Sequence, residues 1–270
     1  LQYGHDKLFI GEGYRSVLLS DNAFNYPFLQ AELSLFKNKV VYQVNYALLQ
    51  ELKRSPGTLD SEPIYRRKLA NVNYLGFKPF KRLEVGVSEV VMWQRWDDST
   101  GTLPYEPLFL NPVPFVNSLV SVDSLNQGYI GLNASYTPID RYVVYGQALY
   151  AKEGFNAFQV GAKAYDAFGL NGLHLMAEYN EAKDAYGNGS VQTDFYHYGQ
   201  NMAFVQGDSS SEWITGASYT LKGFYGRVRV HGIERELEAV SLVSAEAGYL
   251  LNPRYNISVY AGGMLRDSDL

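Results

Sequence analysis

The sequence contains no cysteine, few charged residues and no long apolar run. Without cysteine, the 270 residues form no disulfide, no thiolate nucleophile and no cysteine metal site. Charged residues make up 19%, below the roughly 25% of soluble domains, and a net charge of −5 argues against general binding of nucleic acid. No stretch reaches the ~18–20 uninterrupted apolar residues that a membrane-spanning helix needs. A bundle of membrane helices is therefore excluded.

Aromatic residues and glycine are abundant instead. The chain has 23 Tyr, 14 Phe and 25 Gly, and its mean hydropathy is slightly negative. A transmembrane β-barrel has this composition, because its lipid-facing and lumen-facing residues alternate and cancel in the average. We therefore predict an all-β fold, an antiparallel transmembrane β-barrel. A soluble β-sandwich or β-barrel remains the alternative from composition alone.

Apolar and polar residues alternate along most of the chain, as in strands with one apolar face. We count about thirteen such strands, for example from Leu29 to Leu35. Tight turns alternate with long loops at 4–28, 53–67, 93–126 and 183–211, an asymmetry typical of barrels with short periplasmic turns and long extracellular loops. Residues 1–270 are interpreted as one barrel. Because bacterial barrels have even strand numbers, thirteen predicts either strands missed in this count or a truncated start that lacks N-terminal strands or a domain.

The alternation also predicts which residues face lipid and which face the lumen. The lipid-facing set is Leu33, Val44, Val85, Leu132, Ala177, Val230 and Ala247. Five tyrosines near strand ends are predicted to form an aromatic girdle on the same side: Tyr46, Tyr74, Tyr136, Tyr219 and Tyr249. The predicted lumen set is Glu32, Asn45, Asn71, Asn73, Glu84, Asn133, Glu178, Asn180, Arg227, Arg229, His231 and Glu246. This mixture of charges is interpreted either as structural packing or as groups that contact sugar hydroxyls.

One run near the start is distinctive: GHDKLFIGEGYRSVLLSDNAFNYPF, from Gly4 to Phe28. It resembles the signature of the Wzi-like capsule-assembly family, in particular its gliding-motility branch among outer-membrane proteins. Weaker matches lie at Leu110-Asn111-Pro112, Asp166–Gly169 and His197–Gln200. The resemblance implies a non-enzymatic role at the cell surface, either binding or assembling polysaccharide or supporting gliding and adhesion.

The content of this run predicts a loop that folds into or across the barrel mouth. Tyr14, Phe24 and Tyr26 are costly to leave in water, and Arg15 and Asp6 carry complementary charges. We expect Arg15 to pair with a lumen carboxylate, such as Glu32 or Glu84. The loop-gating or ligand candidates here are thus Asp6, Tyr14, Arg15 and Tyr26.

A second group of candidates is Arg227, Arg229 and His231, which alternate along one strand. Two guanidinium groups and an imidazole on one face suit a carboxylate or phosphate ligand, as an acidic polysaccharide would supply. Pairing with lumen glutamates across the sheet is the structural alternative, and the sequence slightly favours it.

No catalytic, metal or cofactor site is predicted. The four histidines make neither an HxH nor an HExxH spacing, and no GxSxG elbow occurs. Glu12 and Asp21 are the carboxylates of the opening run that suit a glycosidase pair, and the sequence argues against that role. We predict a non-enzyme.

The sequence thus predicts a bacterial outer-membrane protein whose partners are lipid or lipopolysaccharide, with acidic polysaccharide and other outer-membrane subunits as further candidates. Two other functions stay open: a structural subunit of a larger secretion, assembly or motility complex, and a passive diffusion porin. A plugged lumen would favour polysaccharide binding, an apolar flank would favour the complex, and an open polar pore would favour the porin.

Overall fold

A computed structural model describes residues 1–55, 64–97, 99–120, 126–151, 154–187 and 192–269. The first seven strands are β1 (Gln2–Asp6), β2 (Tyr26–Leu35), β3 (Val40–Arg54), β4 (Tyr65–Phe80), β5 (Leu83–Gln94), β6 (Trp96–Asp97) and β7 (Gly101–Thr102). A 3-10 helix (Pro107–Leu110) and the short helix α1 (Val116–Val120) follow. Among the described residues, no helix combines the length and the apolar character needed to cross a membrane.

The second half is also built of strands. These are β8 (Asn126–Ile139), β9 (Tyr142–Ala151), β10 (Gly154–Tyr165), β11 (Leu173–Ala182), β12 (Tyr196–His197), β13 (Gln200–Asn201), β14 (Ser210–Leu221), β15 (Phe224–Arg235), β16 (Glu238–Asn252) and β17 (Ile257–Asp269). A second 3-10 helix (Ala167–Gly169) lies between β10 and β11.

Thirteen of the described strands form one antiparallel sheet in which spatial order follows chain order, from β1 and β2 to β16 and β17. Tight turns join many of the neighbours. Between β14 and β15, for example, Lys222 and Gly223 both have positive φ (50° and 90°), as a type I′ hairpin turn requires. The predicted number of main strands and their antiparallel pairing are confirmed.

The sheet wraps around residues 7–25, which we call the inner segment. This segment contacts the same face of six strands, β8, β9, β10, β11, β14 and β15. We call this face the inner face and the opposite one the outer wall. The main apolar cluster lies inside, where Val17, Leu18 and Leu19 pack among buried side chains of the strands.

The predicted faces agree with the structure for most strands, because successive strand residues point to opposite faces. Leu132 on the outer wall is 44% exposed, whereas its neighbour Asn133 is 7% exposed. On β16, Val243 is exposed and Ser244 is partly covered. Tyr136, Tyr219 and Tyr249 are exposed on the outer wall, as predicted.

Three predicted orientations are wrong. Asn71 and Asn73 lie on the outer wall, not in the lumen. Nδ2 of Asn71 donates to the Phe109 carbonyl of a covering segment at 3.0 Å, and Nδ2 of Asn73 donates to Asn71 and to Glu89, both at 2.9 Å. Tyr74 lies on the inner face and not in the girdle. Its ring occupies the space above Gly86, where a Cβ atom would come within 2.3 Å of the hydroxyl.

That covering segment is residues 107–120, which we call the outer strap. Phe109 packs with Leu69, Val91 and Trp93, and Tyr46 lies beneath the strap with its hydroxyl on the Leu110 carbonyl at 2.8 Å. The fully buried Glu89 accepts backbone N–H bonds from Phe115 and Ser118, both at 2.8 Å. The Asn71 amide and the Glu89 carboxylate on this part of the outer wall are therefore satisfied by protein.

Candidate functional site

The inner segment turns at glycines because the strands leave no room for side chains. Gly11 has φ +113°, and a Cβ atom there would lie 1.9 Å from Nε2 of Gln147. A Cβ atom on Gly13 would lie 2.3 Å from the Arg15 carbonyl oxygen. The fold of the segment is closed by Ser16, whose hydroxyl donates to the Ile10 carbonyl at 2.8 Å. Only glycine fits these two positions.

Side chains of the barrel wall hold the backbone of this segment. Nε2 of Gln147 donates to the Ile10 carbonyl at 2.7 Å, and its Oε1 accepts the Val17 N–H at 3.0 Å. The Glu178 carboxylate accepts the backbone N–H groups of Tyr14 and Arg15 at 2.6 and 2.9 Å. Because a carboxylate bound by two N–H groups forms charge-assisted bonds, the turn at 14–15 is rigidly fixed.

Arg15 forms the strongest link between the inner segment and the wall. Its Nε and Nη2 donate to the two oxygens of Glu212 at 2.9 and 3.0 Å, and Glu212 is fully buried. Nδ1 of His231 lies 2.8 Å from the same carboxylate. Burial lowers the pKa of Arg15, but the hydrogen bond and charge of Glu212 outweigh it, so the pKa is raised from its ordinary value. The guanidinium therefore stays charged.

Tyr14 joins a second arginine to this cluster. The guanidinium of Arg229 lies 4.1 Å from the centre of the Tyr14 ring, and its Nη1 donates to the Tyr14 hydroxyl at 2.9 Å. The ring also meets His231 edge-on at 5.9 Å. We call the cluster of Tyr14, Arg15, Glu212, Arg229 and His231 the anchor.

A second loop, the described residues of 183–209, closes the lumen above the inner segment. We call it the mouth loop. The backbone N–H of Ser20 donates to the Met202 carbonyl at 2.8 Å, and the Tyr186 hydroxyl donates to the Val17 carbonyl at 3.0 Å. Buried Phe195 and Phe204 add apolar contacts to the main cluster. The two loops therefore form one packed plug.

A buried lysine fastens the mouth loop to the wall. Lys68 is fully buried on β4 and forms ion pairs with Glu51 on β3 and with Asp194, the latter at 2.5 Å. Burial raises the pKa of Asp194, although the charge and hydrogen bond of Lys68 oppose that shift. Such a pair is costly to break, since removing one partner leaves a buried charge.

Beside the mouth loop, the outer rim carries a polar cleft of about 490 Å³, which we call the rim cleft. Its lining combines an aromatic ring, hydroxyl groups and charges of both signs. On one side, the Tyr179 hydroxyl donates to Glu181 at 2.9 Å. On the other, Nη2 of Arg235 donates to Gln206 at 2.6 Å. The full lining is Tyr179, Glu181, Lys183, Asp184, Ser209, Ser210, Ser211, Glu234, Arg235 and Glu236.

The structure brings four of the seven predicted site residues together in the anchor: Tyr14, Arg15, Arg229 and His231. Arg15 pairs with a carboxylate on the inner face, as predicted, but the partner is Glu212 and not Glu32 or Glu84. Glu32 instead accepts from Gln43, and Glu84 pairs with Lys78.

The other three predicted residues lie apart from the anchor. Tyr26 is buried at the base of the mouth, where its hydroxyl accepts the Leu8 N–H at 3.3 Å. Asp6 accepts the N–H of Lys7 and makes no contact with Arg15 among the described residues. Arg227 is exposed and lies opposite Glu246 in the strand register.

Sequence reasoning missed Glu212 as the central anion of the anchor. The signal was present, since Glu212 occupies the polar side of the alternation through Trp213 and Thr215. Glu178 was placed on the lumen side, but its bonds to backbone N–H groups depend on the turn at 14–15. The backbone carbonyls of Glu12 and Asp21 accept hydrogen bonds from Lys163 and Lys7, respectively.

No protein-family model matches the sequence, and no curated protein matches it. Among solved structures, the fold is similar to Wzi of Escherichia coli, described as an outer-membrane protein involved in group 1 capsule assembly and as a carbohydrate-binding β-barrel. The TM-score is 0.68 at 13% identity, over 99% of this chain and 64% of that chain. The chain has a Wzi-like β-barrel fold.

The fold is thus the antiparallel β-barrel type of outer-membrane proteins, as the alternation predicted. The chain spans 64% of the length of the Wzi chain. OccK10 (OpdN) of Pseudomonas aeruginosa also matches, with a TM-score of 0.34 and 11% identity over 91% of this chain and 88% of that one. A TM-score of 0.34 is too low to support any conclusion about this chain.

Proposed function

We propose that residues 1–270 form one plugged outer-membrane barrel unit that binds a surface saccharide and takes part in holding or assembling capsule-type polysaccharide. The observation that carries the proposal is the packed plug in the lumen. Backbone N–H groups bound by Glu178 and a bidentate Arg15–Glu212 pair indicate a fixed closure. A passive porin needs an open aqueous lumen, so the plug argues against that alternative.

The rim cleft is the surface that we propose contacts the saccharide. Sugars present hydroxyl groups for hydrogen bonding and apolar ring faces for packing. The cleft offers carboxylates, serine hydroxyls and the Tyr179 ring within one concave surface, the combination of an apolar body and oriented polar groups expected of a ligand site. The anchor residues Tyr14, Arg15, Arg229 and His231 are assigned a positioning role, since they hold the plug against the wall.

Surface plasmon resonance on the detergent-solubilised protein tests saccharide binding. Dextran and alginate serve as immobilised neutral and acidic polysaccharides. Truncating a central aromatic contact weakens binding by about tenfold or more, so Tyr179→Ala is expected to do so. Tyr219→Ala is the matched control, because Tyr219 is an exposed tyrosine of the outer wall outside the cleft lining. Equal effects of the two variants, or no binding by the wild-type protein, would contradict the proposal.

Single-channel conductance in planar bilayers tests the closure. The wild-type protein is expected to show little conductance, while deletion of residues 9–23 opens the lumen and raises it. A large, steady conductance of the wild-type protein would restore the porin alternative.

A role as a subunit of a larger outer-membrane assembly or motility complex is the second candidate. It is favoured by the outer strap, which exposes Leu110, Leu119 and Val120 to 63%, 83% and 65%. An irregular backbone is unfavourable against lipid hydrocarbon, so protein is the more suitable neighbour for this face. Cross-linking from position 119 in intact cells would identify such a neighbour.

A further inference from the structure

A second cavity lies on the outer wall near the loop end, far in sequence from the rim cleft. It has a volume of about 120 Å³ and is lined at its base by Leu48 and Leu69. Its walls carry three arginines, Arg66, Arg67 and Arg95, together with Tyr65, Trp96 and Tyr105. We call it the arginine pocket.

Two of the arginines are held by aromatic rings. The guanidinium of Arg95 lies 3.9 Å from the centre of the Tyr105 ring, and that of Arg66 lies 5.2 Å from the Trp96 ring. Cation–π contacts of this kind restrain a guanidinium beside the ring. Arg66 and Arg95 are thus held in place in the pocket wall.

Arg95 has a buried donor that lacks an acceptor. Its Nη1 atom is buried and has no hydrogen-bond partner among the described residues. Leaving such a donor unsatisfied is costly, and a buried charged donor in a native protein is normally paired. Arg67, exposed beside it, also makes no ion pair with any described carboxylate.

The charge of the described lining is of one sign. No aspartate or glutamate is among the described residues that line the pocket, in contrast to the rim cleft, where acids and bases are mixed. Arginines bind carboxylate and phosphate through two parallel hydrogen bonds. The small volume admits one such group with part of a sugar ring.

We propose that the arginine pocket binds one anionic group, a carboxylate or a phosphate, on a saccharide of the cell surface. Arg95 supplies the buried donor, and Arg67 supplies a second cation at the entrance. The source of the anion is either a uronate of a free polysaccharide or a phosphate of a lipid-linked one. This proposal goes beyond the rim cleft and does not require that cleft to bind saccharide.

Trp96 in the pocket wall provides the readout, because its fluorescence responds to a ligand beside the ring. The folded protein in detergent is titrated with oligogalacturonate, with lipid A and with maltohexaose as a neutral saccharide. We expect one anionic probe to bind, with weaker binding at higher salt, and maltohexaose not to bind. Binding of oligogalacturonate alone identifies a polysaccharide uronate, and binding of lipid A alone identifies a lipid-linked phosphate.

The variants Arg95→Gln and Arg67→Gln test the assignment of residues. Each is expected to weaken binding of the anionic probe by about tenfold, the effect of losing a charge-assisted bond. Arg254→Gln is the matched control, because Arg254 is exposed and also lies over a tyrosine ring, that of Tyr255 at 6.0 Å. The heat-dependent gel mobility of folded barrels confirms that each variant folds.

Three outcomes would overturn the proposal: no anionic probe binds to folded wild-type protein, maltohexaose binds equally well, or Arg254→Gln weakens binding as much as Arg95→Gln. The Tyr179→Ala variant separates this proposal from the rim cleft, since it is expected to leave binding at the arginine pocket unchanged. Failure of one site therefore leaves the other testable.

Discussion

Arg15 is the residue on which the closure of the lumen depends most. It bonds both oxygens of a fully buried glutamate, while its own side chain is 24% exposed. Replacement by alanine removes both guanidinium bonds to the Glu212 carboxylate, at a cost of about 3 kcal/mol for a broken buried pair. We expect Arg15→Ala to release the inner segment, so that chymotrypsin cleaves after Tyr14 and Phe24.

Arg254→Ala serves as the control for that digestion, since it removes an exposed arginine away from the plug. Arg15→Lys is expected to be intermediate, because one ammonium group replaces two parallel bonds. If Arg15→Ala gives the wild-type digestion pattern, the anchor does not hold the segment.

His197 gives the mouth loop a pH response. Its Nδ1 accepts the backbone N–H of Gln50 at 3.1 Å, which requires the neutral ring. Burial lowers its pKa from 6.5 to about 4. Since the unfolded ring binds a proton more readily than the folded one, the mouth loop loses stability as the pH falls from about 6.5 towards 4.

Amide hydrogen exchange of residues 195–204 measures this loss. Protection is expected to decrease between pH 6.5 and 4 in the wild-type protein after correction for intrinsic rates. His197→Gln should remove the part of the pH dependence that belongs to the imidazole, while the Asp194 contribution remains. An identical pH dependence in both proteins would show that another group is responsible.

At the scale of single strands, the outer wall and inner face differ in what surrounds them. Val243 lies on the outer wall and Ser244 on the inner face of β16. Arginine at a mid-strand site facing lipid costs about 2–4 kcal/mol, so Val243→Arg is expected to destabilise the protein by that amount. Ser244→Arg should cost much less. Unfolding by guanidinium chloride in lipid vesicles provides the comparison, and equal effects would contradict the assigned faces.

The outer strap is held chiefly by one aromatic side chain. Phe109 is 8% exposed, and its ring meets Tyr46 at 5.5 Å and Trp93 at 6.3 Å. Phe109→Ala is expected to cost about 3–5 kcal/mol, the usual range for removing a buried ring. Protease accessibility of 107–120 measures the release, with Phe224→Ala, an exposed outer phenylalanine, as the control.

Strand positions could be predicted from the sequence because alternation reflects the two faces of a sheet. It failed at Asn71, Asn73 and Tyr74, where another part of the chain changes the environment. Asn71 is stable on the outer wall because the strap bonds it, and Asn73 because Asn71 and Glu89 bond it. Tyr74 turns inward because Gly86 leaves space. Neither the outward asparagines nor the inward tyrosine can be predicted from the polarity of a single residue.

At the scale of the whole molecule, the residue content of 4–28 predicted an inward fold, and the structure agrees. The identity of the partners was harder to predict. Several carboxylates of the predicted lumen set were possible partners for Arg15. The path of the backbone through Gly11 and Gly13 decides that the Arg15 side chain reaches Glu212. Which residues of two distant segments will pair can be predicted only when the three-dimensional path of both segments is known.

The anchor also imposes an order on folding. Neighbouring strands meet soon after each forms, because their pairing is sequential. The inner segment instead binds residues 163 to 215 positions later in the chain, on β11, β14 and β15. Contacts this distant form late, since a long loop must close first. The anchor is therefore completed only after β14 and β15 have joined the wall, and until then the plug is held by its contacts with the earlier strands alone.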